Sequence, residues 1–385
     1  MKSIYIHIPF CEKICSYCDF CKMFYKKELV DKYLKELENE INKNYKNEKI
    51  KTIYIGGGTP SCLSLEQLNK LFEITNKINI DKEYEFTIEA NINDICEEKL
   101  KLFKKNKINR ISIGVETINE KYFSFLNRGT KKEIVKEKIE LVKKYFKNFN
   151  IDLMYAFPNQ KESDLLEDLA FVVNLKPTHI SIYSLIIEEH TKIYIDKTPP
   201  LDEELESKMY YKIIDYLKEK GYNHYEISNF SKDGYESKHN LVYWNNEKYY
   251  GFGLGASGYI ENIRYTNTRS LNKYLEGNYI FEKEVITKNI DMENEIIFGL
   301  RKTKGISRSV FLEKYCFDIE QIFDIMDLVN KKMLKIDNDN IFIPKENLYI
   351  SNSILVNFIG GSKDGQDWKN KSIWKRSWVY KRRKT

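Results

Sequence analysis

From residue 3 to about residue 185 the chain alternates short β-rich runs with amphipathic helical stretches. No other feature constrains the fold as much. Strands are expected at 3–8, 51–55, 84–90, 110–115, 149–155 and 178–184, with helices near 27–45, 65–78, 96–106, 131–147 and 162–174. Each strand run reads as mostly apolar rather than alternating, the pattern of strands covered on both faces. Strand, helix, strand repeated about six times implies a parallel sheet with right-handed crossovers. Such an array is either doubly wound or a partial β/α barrel. Polar residues decide between them, because working groups in parallel β/α folds gather at the C-terminal strand ends. Cys11, Cys15 and Cys18 follow the first strand, and Gly56-Gly57-Gly58-Thr59-Pro60 follows the second. Glu89 ends the third, Glu116 follows the fourth, and Asp152 lies in the fifth. Five successive strands feeding one rim favour an α/β fold built as a partial (β/α)6, TIM-like barrel.

Composition bounds the rest. A chain of 385 residues, 42% hydrophobic and 31% charged, suits a globular protein of about two domains. No apolar run approaches ~18 residues, and no basic segment precedes an apolar one at the N-terminus. The expectation is a cytoplasmic, reducing setting without a membrane span. Seven cysteines, four of them within residues 11–21, then suit a metal centre better than disulfides. The organisation expected is a barrel at 1–200, a Gly/Tyr-rich extension at 201–285, a mainly helical domain at 286–359 and a basic tail at 360–385. In the extension, helix 202–220 ends at Gly221. In the following domain, helices near 291–301, 307–314 and 319–331 precede a hairpin at 333–343 and a helix near 347–359. The tail carries nine Lys/Arg against Asp364 and Asp367, so it is +7 and the remainder is −1. The main body therefore makes no electrostatic case for nucleic acid. Trp368, Trp374 and Trp378 interleave with the basic residues, but no sustained amphipathic pattern runs through them, and a disordered extension without function is expected.

Three thiols spaced C-x3-C-x2-C on one loop can converge on one small object. A four-iron cluster held by three thiolates keeps one iron open for another ligand. A zinc knuckle using Cys21 as fourth ligand and incidental thiols are the alternatives. The three glycines let backbone groups approach a ligand closely, or simply make a turn. Glu89, Glu116 and Asp152 are singly unremarkable as rim carboxylates. Together they form a polar pocket suited to ribose hydroxyls and a cationic sulfonium or ammonium. Gly253, Gly255 and Gly258 satisfy G-x-G-x-x-G, but Tyr259 and its successors read as strand or loop, so nicotinamide binding is rejected. His239 is either a structural histidine beside Asn240 and Trp244 or an axial iron ligand, with Tyr243 and Trp244 offering flat faces to a macrocycle.

The cysteine spacing after Tyr-Ile-His-Ile-Pro-Phe, with Tyr17 before the third cysteine, resembles the radical S-adenosylmethionine (SAM) superfamily. Within it, the chain is similar to the coproporphyrinogen dehydrogenase and heme chaperone branch (HemN and HemW) over about residues 3–359. The shared motifs are Gly56 to Ser61 (GGGTPS), Ile88 to Asn91 (IEAN), Arg110 to Val115 (RISIGV), Asp152 to Tyr155 (DLMY) and His239 to Trp244 (HNLVYW). The resemblance implies a radical SAM partial barrel with a smaller, winged-helix-like C-terminal domain. It implies that Cys11, Cys15 and Cys18 hold a 4Fe-4S cluster. The SAM contacts it carries over are Tyr5, Tyr17, Gly57, Gly58, Thr59, Glu89, Arg128 and Asp152. Glu116 would join them, standing where the family usually has Gln, and Ile92 replaces a usual Pro. His239 would bind heme. No catalytic residue is assigned. The dehydrogenase branch carries a further cysteine where this chain has Phe20, its extra thiol Cys21 lying one place later. The implied function is therefore a heme chaperone that passes heme to acceptor proteins, membrane-associated respiratory proteins among them. The alternatives are oxygen-independent coproporphyrinogen III dehydrogenase or another radical SAM enzyme. A reductant such as flavodoxin or ferredoxin is the further implied partner.

Overall fold

The computed structural model describes residues 2–360, so the expectation for the basic tail lies outside the described residues. Two compact units form. The first holds the residues up to Asp202 with Ser237–His239 and Lys248–Val285. The second holds Glu203–Glu236, Asn240–Glu247 and the described residues from Ile286 onward. The expected 201–285 extension thus contributes to both units, because its strands near residues 250–285 join the first.

The first unit is built on parallel strands β1 (Ser3–Ile8), β2 (Ile50–Gly57), β3 (Ile80–Asn91), β4 (Arg110–Glu116), β5 (Asn148–Tyr155), β6 (His179–Ser184) and β7 (Tyr250–Phe252). Their order is β7-β1-β2-β3-β4-β5-β6. Strands β1 to β6 lie side by side in chain order without the reversal that a doubly wound sheet requires, so the sheet is singly wound. Helices α1 (Lys27–Asn44), α2 (Leu65–Thr75), α3 (Glu97–Lys105), α4 (Lys132–Tyr145) and α5 (Glu162–Asn174) fill the crossovers. Strand β7 was not expected. It is three residues long, and it pairs with β1 from Ile4 opposite Tyr250 to Ile6 opposite Phe252.

The strands correct one expectation: they alternate. Ile4, Ile6, Ile53, Ile55, Ile88, Ile111, Ile113, Ile151 and Ile180 lie in register on one face and are buried. With right-handed crossovers the helices share one face of a singly wound sheet, and these side chains supply its apolar layer. The intervening positions are polar: Tyr5, Tyr54, Thr87 and Arg110 in one row, and Glu89, Ser112, Asn150 and His179 in the next. Buried polar groups need partners, and this face supplies many to itself. Asn150 Nδ2 donates to Ser112 Oγ at 2.7 Å and Ser181 Oγ donates to Asn150 Oδ1 at 3.1 Å. The C-terminal part of the unit adds an antiparallel sheet of β8 (Ser257–Ile260), β9 (Ile263–Asn267) and β10 (Ile280–Val285). Glu40 of α1 fastens it, accepting from Gly253 N at 2.8 Å, Asn267 Nδ2 at 2.6 Å and Tyr274 Oη at 2.6 Å.

The second unit contains helices Glu203–Glu219, Lys288–Gly299 and Arg308–Tyr315 and a small sheet in which Asn340–Phe342 lies between Ile306–Ser307 and Lys335–Asp337. The helix expected at 319–331 is two, Ile319–Ile322 and Ile325–Asn330. Phe323 is extended and the Asp324 side chain caps the second piece by accepting from Asp327 N. No helix among the described residues is long and apolar enough to cross a membrane.

Candidate functional site

The thiol loop leaves β1 at Pro9 and returns to pair Phe10–Cys11 with Met23–Phe24. Its base is held by His7, whose Nε2 donates to Cys21 O at 2.7 Å. That carbonyl can only accept, so His7 Nδ1 is the acceptor for Tyr5 Oη at 2.9 Å. Burial lowers the His7 pKa to about 4, which keeps this tautomer neutral. Sequence reasoning passed over His7 because it sits within an apolar run.

The glycine turn closes against the same loop. Gly58 N donates to Ile8 O and Thr59 N to Phe10 O, each at 2.8 Å. A Cβ on Gly58 would lie 2.8 Å from Phe10 O and 3.0 Å from Cys11 Sγ, so only glycine allows this approach. Gly57 has φ +118 and stands over the His7 ring. Thr59 Oγ1 donates to Cys11 Sγ at 3.5 Å, and Arg128 Nη1 donates to Cys15 Sγ at 3.7 Å. Two of the three thiols therefore receive a donor suited to thiolate character. Burial pushes Cys11 up and Cys18 to about 11. Cys21 points elsewhere, with its Sγ packed on Gly255 and the Arg269 guanidinium close enough to act on it. Among the described residues no three His, Cys, Asp or Glu side chains close around a single metal ion, and the three thiols stand open along their loop.

Next to the thiols lie the three carboxylates. Glu89 accepts from Tyr54 Oη at 2.8 Å and Gly57 N at 3.0 Å. Glu116 pairs with Arg128 at 3.2 Å and accepts from Tyr17, while Arg128 Nη2 also donates to Gly114 O at 3.0 Å. Asp152 accepts from Asn150 Nδ2 at 2.6 Å and from Ser112 Oγ at 3.4 Å. Burial is the largest influence on all three, and each is raised further by a neighbouring acid or held back by its donors. Glu89 and Glu116 rise to about 7, and Asp152 rises as well. The repulsion is mutual: Asp152 raises both glutamates, and Glu116 raises Glu89. A cation entering this pocket would relieve it.

Glu116 is the strained member. Its φ is +67, and the ladder slips between Gly114 and Glu116. Bulges and left-handed non-glycine residues cost energy and are held only where surroundings enforce them. Here Asp168 of α5 does so, accepting from Thr117 Oγ1 and Ile118 N, each at 2.8 Å, just beyond Glu116. The slip turns Glu116 toward Arg128 and Tyr17.

The expected contacts Tyr17, Gly57, Gly58, Thr59, Glu89, Glu116, Arg128 and Asp152 thus share one rim with Cys11, Cys15 and Cys18. Tyr5 lies beneath, its ring 6.2 Å from that of Tyr54. His239 is set apart. It is 1% exposed, its Nδ1 bonds Thr52 Oγ1 at 2.9 Å, and its backbone N donates to Glu85 at 3.0 Å. Its ring stacks on Tyr54 at 5.2 Å. Through Tyr54 it supports Glu89. Burial, then Arg110, lowers its pKa to about 3, so the imidazole is neutral.

Residues 5–172 match the model of the radical SAM superfamily. The heme chaperone HemW of Lactococcus lactis is 38% identical over 368 residues, covering 93% of this chain and 97% of its own. That of Bacillus subtilis is 39% identical over 381 residues, covering 94% and 100%. That of Escherichia coli is 33% identical over 290 residues, covering 72% and 76%. Among solved structures, coproporphyrinogen III oxidase (HemN) from Escherichia coli, a radical SAM enzyme, superposes with TM-score 0.80 at 20% identity, covering 92% of this chain and 89% of that one. That likeness shows the fold, the radical SAM partial barrel. The identity and the coverage together carry the assignment: this chain belongs to the radical SAM superfamily and, within it, to the family of the HemW proteins.

Proposed function

We propose that the protein is a heme chaperone, binding heme and passing it to acceptor proteins, and that it carries a 4Fe-4S cluster and SAM. The observation that carries the cofactor reading is the donor set. Three thiols leave one loop, with Thr59 and Arg128 donating to two of them, beside three mutually repelling carboxylates. In this reading Cys11, Cys15 and Cys18 hold the cluster, and the pocket of Glu89, Glu116 and Asp152 takes the cationic ligand. When bound, the cluster would supply an electron to SAM. The chain's own part is to orient and exclude water: Gly57 to Thr59 present backbone groups, Tyr54 and Gly57 N hold Glu89, and Arg128 ties Glu116 to the thiol loop.

The heme reading rests on the full-length similarity to proteins named heme chaperones. Iron ligation falls to His239. Its neutral imidazole is the form that binds iron, and ligation requires it to exchange Thr52 and become exposed. Anaerobic reconstitution followed by hemin titration tests both parts. A Soret shift in the wild type that is lost in His239→Ala supports the assignment. An unchanged shift in that variant removes His239, and no shift in the wild type removes heme binding. Formation of protoporphyrinogen IX from coproporphyrinogen III in the same sample would replace the chaperone reading with the dehydrogenase one.

A further inference from the structure

Arg110 opens β4 and points from the polar face, where it is 2% exposed. Its Nε has no hydrogen-bond partner. Among the described residues its guanidinium makes no hydrogen bond, and no Asp or Glu lies within 4.0 Å of it. Directly across the ladder from Arg110 stands Thr87 of β3, 0% exposed, and its Oγ1 is also without a partner. Two buried donors therefore sit side by side with nothing to donate to. Buried polar groups are nearly always satisfied, and a buried unpaired charge is costlier still.

Among the described residues no neighbour meets the charge at contact distance, and Asp152 feels it only from farther off. Arg110 acts electrostatically on Tyr54, Asp152, His179 and His239. Two of these are imidazoles kept neutral, chiefly by burial and then by Arg110 itself. Asp152 is engaged by Asn150 and Ser112. Glu85, on the same face, accepts from the backbone N of Lys238 and His239.

We propose that Arg110 and Thr87 form an anion anchor inside the barrel that takes the carboxylate of a bound ligand. A guanidinium presents a planar fork that matches a carboxylate, and an adjacent hydroxyl supplies a further donor. The anchor lies on the same face as Tyr54 and Glu89, so a ligand held at the rim shares one face with it. Under the reading above, two ligands carry such a group: SAM through its amino acid end, and heme through its propionates. The proposal rests on that reading for these two probes and is independent of it for a third, formate alone.

The test uses the full-length chain with Arg110→Gln, Arg110→Lys and Thr87→Val. In the ligand-free protein, formate raises the wild-type Tm above a chloride control, and the rise is absent in Arg110→Gln. SAM is compared with decarboxylated SAM, and hemin with hemin dimethyl ester. The carboxylated member of one pair should bind the wild type about tenfold to a hundredfold more tightly. Arg110→Gln should abolish that preference and Arg110→Lys should restore part of it. The pair that responds identifies the source. Because the charge is unpaired, ligand-free Arg110→Gln should melt no lower than the wild type. A Gln variant that melts much lower than the wild type and still shows the full formate response would make Arg110 structural and overturn the anchor. Equal formate responses in all four proteins would overturn it too, leaving Arg110 and Thr87 to share a buried water. If wild type binds neither SAM nor hemin, the functional reading fails while formate still decides the anchor.

Discussion

The two faces of the parallel sheet are made from adjacent residues of the same strands and do opposite work. The outward face is isoleucine after isoleucine, buried under helices. The inward face carries tyrosine, threonine, arginine, histidine and carboxylates at the intervening positions. A step of one residue along β4 separates Ile111, 0% exposed in apolar packing, from Arg110, equally buried without a partner. The difference teaches where this fold keeps its stability and where it spends it. The apolar face holds the strands, and so the other can carry repelling acids and an unpaired cation.

The sharpest break in this comparison lies at the rim. Cys15→Ala should lose nearly all cluster iron after anaerobic reconstitution, whereas Cys21→Ala should retain it, since Cys21 Sγ faces Gly255 and Arg269. Iron and sulfide analysis reads both, and equal loss would show that the cluster uses the fourth thiol. On the outward face, Ile113→Ala should cost about 2–5 kcal/mol in urea unfolding, and the folded fraction should bind SAM as the wild type does. A large drop in affinity would mean the faces are not independent. On the inward face, Tyr54→Phe removes one hydroxyl that donates to Glu89. It should cost about 1–3 kcal/mol and weaken SAM binding as well, a double effect that the isoleucine change lacks.

The smallest effect is one of pH. The Glu89 carboxyl rises from 4.5 to about 7, chiefly by burial. Between those values the folded chain keeps a proton that the unfolded chain releases, so this group makes the ligand-free protein less stable as pH rises. The penalty is absent below 4.5 and complete above about 7. The Tm of Glu89→Gln relative to wild type should therefore climb between pH 5 and pH 8. A flat difference would mean that Glu89 ionises as an ordinary surface acid.

The six principal strands, the crossover helices and the rim assembly were legible in the sequence, because the strands are regularly spaced and the first five carry unusual residues at or near their ends. The inward face was less so. Tyr, Thr and His count as neutral in an apolar run, and their period of two was visible only once register aligned Tyr5, Tyr54, Thr87 and Arg110. His239 was singled out, but its partners Thr52 and Glu85 lie more than 150 residues away, a separation no local pattern encodes. Strand β7 escaped because Tyr-Gly-Phe among glycines has too few residues to show a period.

That last strand has a consequence for synthesis. Strand β1 leaves the ribosome long before β7, and β2 can cover one of its edges within about fifty residues. Its other edge belongs to β7, at residues 250–252. At about 5–20 residues per second the interval is roughly 12–50 s. During that time a nascent chain offers an open isoleucine-rich strand to any passing neighbour, with the thiol loop attached to its end.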